Sequence, residues 1–147
     1  MNFLEAIAQQ EGYNVPHSRS GRNNNPGDIN WGPFAQHHGA TSIETIPPGY
    51  NEAPRFAFFP DGPTGFAAMK ALLQVPGTFS EPVLDAAGNV VAPRKLLTGY
   101  AGSTVHEALY RWAPPADSND TSAYEANVCT AVGCQPSDSI DPLVAAC

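Results

Sequence analysis

Residues 3–12, which read FLEAIAQQEG, decide where the fold begins. Their apolar side chains recur at helical spacing, so we predict an amphipathic helix over residues 2–11. Asn2 is a suitable N-cap because its side-chain oxygen can accept a hydrogen bond from a free amide of the first turn. Gly12 then ends the helix. One face of this helix is therefore expected to pack into the core of the protein.

Glu11 lies on the apolar face of this predicted helix. At about 100° per residue, the side chains of Leu4, Ile7 and Glu11 point within roughly 60° of one another. Burial and the negative end of the helix dipole both favour the protonated carboxyl group. A carboxylic acid that keeps its proton near neutral pH is suited to general acid catalysis. The alternative is that Glu11 lies at a frayed helix end and reaches solvent past Gly12.

The rest of the chain predicts short elements separated by turns. Two β-like segments are expected at residues 40–46 and 55–59, on either side of a Pro-Pro-Gly turn. Residues 76–98 are ambiguous, and a small hairpin with its turn at residues 87–89 is one interpretation. The other predicted elements are a helix over residues 64–75 capped by Thr64, a helix over residues 104–112 with a Thr104–Glu107 capping box, a helix from about residue 120 to Val132 ended by Gly133, and a tail over residues 134–147. The predicted class is α+β, with helices around a small β region.

The amino-acid composition argues against several classes of protein. A chain of 147 residues suits a single domain over residues 1–147. It contains 13 glycines and 15 prolines, which disfavours an all-helical bundle and a coiled coil because long ordered loops are needed. The formal net charge is −7 and the only lysines are Lys70 and Lys95, so binding to nucleic acid is not expected. No apolar run is long enough to span a bilayer, and the first residues lack the basic segment of a signal peptide.

Cysteines and histidines do not have the spacing of a metal site. Cys129, Cys134 and Cys147 lack a CxxC pair or a nearby pair of histidines, and adjacent His37 and His38 would point to opposite faces of a strand. If Gly133 ends its helix in the left-handed conformation, the side chains of Cys129 and Cys134 come together. We therefore predict a Cys129–Cys134 disulfide with Cys147 free. The alternatives are a Cys134–Cys147 disulfide and three free thiols.

Several short motifs in this order resemble lysozyme-like peptidoglycan-cleaving domains of phages and bacteria, a group that includes endolysins and relatives of lytic transglycosylases. The resemblance covers residues 3–75 and 99–128. Asp28 stands where the pattern usually has Asn, Trp112 stands where it usually has Tyr, and residues 76–98 are interpreted as an insertion. The motifs are EGY at residues 11–13, RNNNPGDI at residues 22–29, RFAFF at residues 55–59, GFAAM at residues 65–69, WAPP at residues 112–115 and NDTSAY at residues 119–124.

The resemblance implies a lysozyme-like fold, with a cleft between a helical lobe and a small β region. It implies that Glu11 is the catalytic acid and protonates the glycosidic oxygen between N-acetylmuramic acid and N-acetylglucosamine. A hydrolase needs a second carboxylate, for which Asp28, Glu44 and Glu52 are candidates. Enzymes that resemble lytic transglycosylases instead use a single Glu, with assistance from the acetamido group of the substrate, and form an anhydro sugar. Both outcomes remain open at this stage.

Polar and aromatic side chains near these motifs are the candidates for binding the sugar. Asn25 is the favoured substrate contact, while Asn23 and Asn24 are also suited to holding the loop, since Asn bonds its own backbone in turns. Arg22 is the charged neighbour of this loop. The aromatic candidates for stacking on sugar rings are Tyr13, Trp31 and Tyr124, each of which is equally suited to the core.

The expected function is cleavage of the peptidoglycan glycan strand, as a muramidase or a lytic transglycosylase, without a cofactor or metal. The expected partner is the glycan strand, and the chain is expected to be monomeric and to act outside the cytoplasm, in the periplasm or at a cell wall reached with a phage. The alternative is a non-catalytic module of the same fold, such as a virion structural part or a wall-binding domain. The net charge of −7 supports this alternative because bacterial walls are anionic.

Overall fold

The computed structural model describes residues 1–147 and confirms the mixed α+β class. It contains seven α-helices, a 3-10 turn over Pro115–Asp117, and two antiparallel sheets of two strands each. The helices are α1 (Phe3–Gln10), α2 (Arg19–Arg22), α3 (Pro33–His37), α4 (Gly62–Leu73), α5 (Val105–Trp112), α6 (Thr121–Val132) and α7 (Ile140–Ala145). The strands are β1 (Ser42–Ile43), β2 (Ala57–Phe58), β3 (Thr78–Leu84) and β4 (Val90–Thr98).

Helix α1 forms as its sequence predicts and lies at the centre of the core. The Asn2 side chain accepts the Glu5 amide at 2.9 Å, and the Glu5 carboxylate accepts the Asn2 amide at 2.9 Å, so both halves of a capping box are present. Phe3, Leu4 and Ile7 are buried. The buried face of α1 packs against α4, α6 and α7, which makes it the element that the other helices surround.

The loop that follows α2 is pressed against α4. Gly65 of α4 permits this approach, because a Cβ atom at that position would collide with the backbone carbonyl oxygen of Asn24. Asn24 and Asp28 both adopt positive φ angles, +50° and +48°, which Asn and Asp tolerate better than most residues. The loop therefore reverses sharply twice and brings Asp28 beside the end of α1.

The two sheets are small and separate. In the first, Ser42 pairs with Phe58 and Ile43 pairs with Ala57. The second is a hairpin of β3 and β4, so the hairpin interpretation of residues 76–98 is confirmed. Its turn is held by the Asp85 carboxylate, which accepts the amides of Ala87 and Asn89 at 3.0 and 2.8 Å.

The structure corrects the predicted start of α4. This helix begins at Gly62 and its N-cap is Asp61, whose carboxylate accepts the Thr64 amide at 2.8 Å. Thr64 was expected to be the cap but lies inside the first turn. The helix can begin earlier because Pro63 needs no amide partner in a first turn.

The predicted capping box of α5 is only half formed. The Thr104 hydroxyl accepts the Glu107 amide at 3.1 Å, as expected. The Glu107 carboxylate does not accept a hydrogen bond from the Thr104 amide, and Glu107 is exposed.

The prediction of a tail over residues 134–147 is wrong for the second half of this segment, which contains a helix. Helix α7 begins after Ser139, and its Ile140 and Val144 side chains are fully buried against the core. Pro142 does not prevent the helix because it lies in the first turn, where no intrahelical amide bond is lost.

The end of α6 has the predicted geometry. Gly133 adopts a φ of +79°, and the Cys129 carbonyl accepts the amides of Gly133 and Cys134 at 2.8 and 3.1 Å. The sulfur atoms of Cys129 and Cys134 lie 3.6 Å apart, and all three thiols are free. The two cysteines of the predicted disulfide are therefore adjacent, but no disulfide bond links them.

No helix in the chain has both the length and the apolar character needed to cross a membrane.

Candidate functional site

A cleft of about 700 Å³ opens beside the C-terminal end of α1. Parts of the chain that are distant in sequence line this cleft. They are Glu11, the loop residues 27–30, the end of β4, and residues 110–114, which include the last turn of α5 and the residues after it. Charged groups of both signs face this space, together with aromatic rings. A cleft of this size with convergent polar groups is the default candidate for a binding or active site.

Glu11 is the C-cap residue of α1 and lines the cleft. The phenol of Tyr124 on α6 donates a hydrogen bond of 2.7 Å to Glu11 Oε1. Tyr124 is buried, and burial together with the neighbouring Glu11 carboxylate raises the pKa of its phenol. The phenol therefore remains a donor at all ordinary pH values and fixes one oxygen of Glu11.

Asp28 is the second carboxyl group on this side of the cleft. It lies close enough to Glu11 for the charge of one carboxyl group to affect the other, and its Oδ1 is buried without a hydrogen-bond partner. Burial first, and then the Glu11 carboxylate, raise the pKa of Asp28 to about 8. Two carboxylates are both acceptors, so a hydrogen bond between Asp28 and Glu11 requires that one of them holds a proton.

The raised pKa of Asp28 therefore reflects both its burial and its closeness to the Glu11 carboxylate. Two like charges in contact disfavour double ionisation, and a shared proton removes that repulsion. The Tyr124 phenol holds the pair from one side. This arrangement places a proton at the cleft, next to the residue that the sequence singled out for acid catalysis.

Glu44 lies outside the cleft, and its carboxylate is surrounded by hydrogen-bond donors of the protein itself. Its side chain has no exposed surface and accepts the Arg19 guanidinium at 2.7 Å, the Asn23 amide at 3.2 Å, and the backbone amides of Arg55 and Phe56 at 3.0 and 2.7 Å. Burial alone would raise the pKa of Glu44, but these donors outweigh it and lower the pKa to about 2. Glu44 does not line the cleft.

The third carboxylate that the sequence suggested, Glu52, is engaged in the same network. It forms ion pairs of 2.5 Å with Arg22 and 3.4 Å with Arg19. Arg22 also stacks on the ring of Tyr50, with 4.9 Å between the guanidinium carbon and the ring centroid. Arg22 therefore orders residues 50–52 and lies outside the cleft.

The asparagine loop serves the fold rather than the cleft. Asn25 is completely buried; its amide nitrogen donates to the carbonyls of Ile29 and Ala57 at 2.9 Å each, and its oxygen accepts the Ile29 amide at 2.8 Å. Asn23 is also buried and donates to the Arg19 carbonyl at 2.9 Å. Asn25 is therefore enclosed, with both amide protons used, and a sugar in the cleft cannot reach it.

The predicted aromatic contacts also lie off the cleft. Trp31 is 8% exposed, and its indole N–H donates to the Asp85 carbonyl at 3.0 Å, which ties the β3–β4 hairpin to the protein. Tyr13 packs edge-on against Phe66 at a centroid distance of 5.3 Å. Tyr124 reaches the site only through Glu11.

Residues that the sequence did not suggest supply most of the cleft surface. Asn30, Arg55 and Phe56 line it next to β2, where Asn30 and Phe56 form an isolated antiparallel bridge, and the Arg55 guanidinium donates to Asn30 Oδ1 at 3.0 Å. Three of the lining residues belong to the sequence motifs quoted above, so these motifs could have identified them as candidates. They are Phe56, Trp112 and Asn119. Glu81 and Lys95, contributed by the hairpin, had no such signal.

No three His, Cys, Asp or Glu side chains cluster as a metal site would require. The chain matches no protein-family model, and no curated protein aligns with it significantly.

Proposed function

We propose that this chain cleaves the glycan strand of peptidoglycan, with Glu11 as the general acid, on a lysozyme-like fold. The observation that carries the proposal is the position of Glu11: it ends a buried helix, opens onto the cleft, and is held by the Tyr124 phenol beside the Asp28 carboxyl. The sequence motifs of residues 11–29 and 112–124 support the same activity by resemblance.

In this proposal Glu11 delivers its proton to the glycosidic oxygen between N-acetylmuramic acid and N-acetylglucosamine. Proton transfer from a positioned side chain contributes about 10²–10⁴-fold to the rate of such reactions. Tyr124 orients the carboxyl group, and the proton that Asp28 and Glu11 share has to lie on Glu11 when it is transferred. Neither residue needs to touch the sugar for this role.

The geometry favours a route with one catalytic carboxyl group. In two-carboxylate glycosidases the groups are about 5–9.5 Å apart, with the sugar between them. The Asp28 carboxyl group is coupled electrostatically to Glu11 itself, and Glu44 is enclosed away from the cleft, so neither is free to act as a separate second carboxylate. The substrate's acetamido oxygen then bonds to C1 as Glu11 protonates the leaving sugar. The C6 hydroxyl of the same sugar displaces that oxygen from C1 and returns its proton to Glu11, so no water is consumed and the product ends in an anhydro sugar.

The test is digestion of purified peptidoglycan by the wild-type chain and by Glu11→Gln. Gln keeps the shape of the side chain and still accepts the Tyr124 hydrogen bond, but it has no acidic proton. We expect cleavage to fall by about 10²-fold or more. Glu107→Gln is the matched control, because Glu107 is exposed and its carboxylate makes no hydrogen bond.

Mass analysis of the fragments decides between the two routes. Fragments that are one water lighter than the hydrolysis products support the anhydro route, and fragments with a free reducing end support hydrolysis with a second carboxylate that lines the cleft, such as Asp117. If wild-type and Glu11→Gln chains digest the wall equally, or neither does, the proposed activity is wrong.

A further inference from the structure

Lys95 is an unpaired cation in the wall of the cleft. It lies on β4, is half-buried, and forms no hydrogen bond or ion pair within the protein. Arg111, another cation of the cleft, is bound to the Gly99 carbonyl and the Ser103 hydroxyl. Arg55, the third, donates to Asn30 and stacks on Phe56 at 5.1 Å.

The natural partner of Lys95 within the hairpin is turned away from it. Glu81 stands directly across from Lys95 in the strand register. Its carboxylate is buried and accepts the Phe34 amide at 2.8 Å, at the start of α3. The packing against Gly32 keeps it there, since a Cβ atom at Gly32 would lie 2.7 Å from Glu81 Oε1. Glu81 thus stabilises the junction of hairpin and α3 and leaves the Lys95 ammonium available.

An ammonium group that faces a cleft and lacks an anion favours a ligand that supplies one. The protein has a net charge of −7, so an unpaired cation in the cleft gives this part of the surface a positive charge that differs from the negative charge of the whole molecule. We propose that Lys95 forms a carboxylate-binding subsite, so that the cleft prefers glycan strands that carry carboxylates over neutral ones. This inference rests on the proposed function for the class of ligand.

Peptidoglycan offers that carboxylate in two places. One is the lactyl group of muramic acid when no peptide is attached, and the other is the stem peptide when it is. Neutral chitin oligomers have the same N-acetylglucosamine units and no carboxylate. The three ligands together separate recognition of the sugar from recognition of either carboxylate.

Binding is measured in a Glu11→Gln background so that no ligand is cleaved. The probes are chitotriose, the peptide-free disaccharide of N-acetylglucosamine and N-acetylmuramic acid, and the same disaccharide with its stem peptide. We expect Lys95→Met to weaken binding of at least one carboxylate ligand by about tenfold and to leave chitotriose binding unchanged. Lys95→Arg should retain most of the affinity. Lys70→Met is the matched control, because Lys70 is the other lysine and lies on α4 outside the lining of the cleft.

The carboxylate ligand that loses affinity identifies the source. If Lys95→Met weakens all three ligands equally, weakens none, or none binds in the Glu11→Gln background, the subsite is wrong. A chain that binds carboxylate ligands through Lys95 but never cleaves peptidoglycan would contradict the proposed function alone. Cleavage of peptidoglycan that is indifferent to Lys95→Met would contradict the subsite alone.

Discussion

A protonated aspartic acid and an asparagine have the same shape, and each can donate a hydrogen bond to a neighbouring carboxylate. Asp28 can therefore support Glu11 only while it holds its proton, up to the pKa of about 8 that burial and Glu11 impose. Above that pH the two carboxyl groups lose the proton that Glu11 has to deliver. We expect the cleavage rate of the wild-type chain to fall as the pH rises through about 8, and the midpoint of this decline to shift in Asp28→Asn, whose side chain cannot share a proton with Glu11.

The pH–rate profiles of the wild-type chain, Asp28→Asn and Asp28→Ala check this role. Ala removes the donor at every pH and should lower the rate throughout. An alkaline decline of the same midpoint in Asp28→Asn would show that another group titrates.

Asn25 illustrates a residue whose role the sequence could not settle. Asn25→Ala removes three hydrogen bonds in the fully buried loop and leaves their backbone partners unsatisfied. Each such loss costs about 1–3 kcal/mol, so we expect a decrease of several kcal/mol in the free energy of unfolding. Urea unfolding measures it, with Asn14→Ala as the exposed control. A stable Asn25→Ala variant with impaired cleavage would instead favour the original interpretation as a substrate contact.

Glu11 and Asn25 differ in how much their surroundings could be predicted. The orientation of Glu11 follows from the spacing of its own helix, which is local information. An Asn in a turn can bond the backbone or a ligand, and the choice depends on the Ala57 carbonyl, 32 residues away. The buried network of Glu44 likewise depends on distant donors, Arg19 at 25 residues and Phe56 at 12 residues along the chain.

Helices α1 and α7 show the same contrast at the scale of elements. Helix α1 carries its own capping box and apolar face, so its sequence predicts it. Helix α7 has six residues, and isolated helices of that length are unstable in water. It forms because Ile140 and Val144 are buried by the rest of the protein. The same holds for the β3–β4 hairpin, which is anchored by Trp31 and by contact of Phe79 with Phe34.

The C-terminal end of α6 carries a further prediction. Oxidation with oxidised glutathione should join Cys129 and Cys134, whose sulfur atoms are 3.6 Å apart, and leave Cys147 free. Burial first, and then Cys134, raise the pKa of the Cys129 thiol to about 12, so we expect slow formation. The stabilisation should be at or below the low end of the usual range of about 2–4 kcal/mol because the loop is short.

Non-reducing peptide mapping of the oxidised chain identifies the bond, and Cys147→Ser is the control that should oxidise normally. A Cys147 peptide released only by reduction would contradict this pairing. The Cys147 thiol lies 3.2 Å from the Leu143 carbonyl within its own helix segment, which supports its separation from the pair.

At the scale of the whole molecule, two enclosed carboxyl groups make stability depend on pH in opposite directions. The pKa of Asp28 is raised from 3.8 to about 8, so its contribution to stability is complete below its ordinary pKa and is lost as the pH rises towards 8. The pKa of Glu44 is lowered from 4.5 to about 2, so its contribution is complete above its ordinary pKa and is lost as the pH falls towards 2. The two contributions are present together only in mildly acidic solution.

We therefore expect the free energy of unfolding to be greatest near pH 4–5, below the range in which many domains are most stable. Urea unfolding across pH 2–9 measures it. Asp28→Asn has no proton to lose, so its stability should decline less than that of the wild-type chain between pH 5 and 8, while both should lose stability below pH 4 as Glu44 is protonated. Equal declines of the two chains between pH 5 and 8 would mean that Asp28 is already ionised in the folded protein, and the paired carboxyl groups at the cleft would then not share a proton.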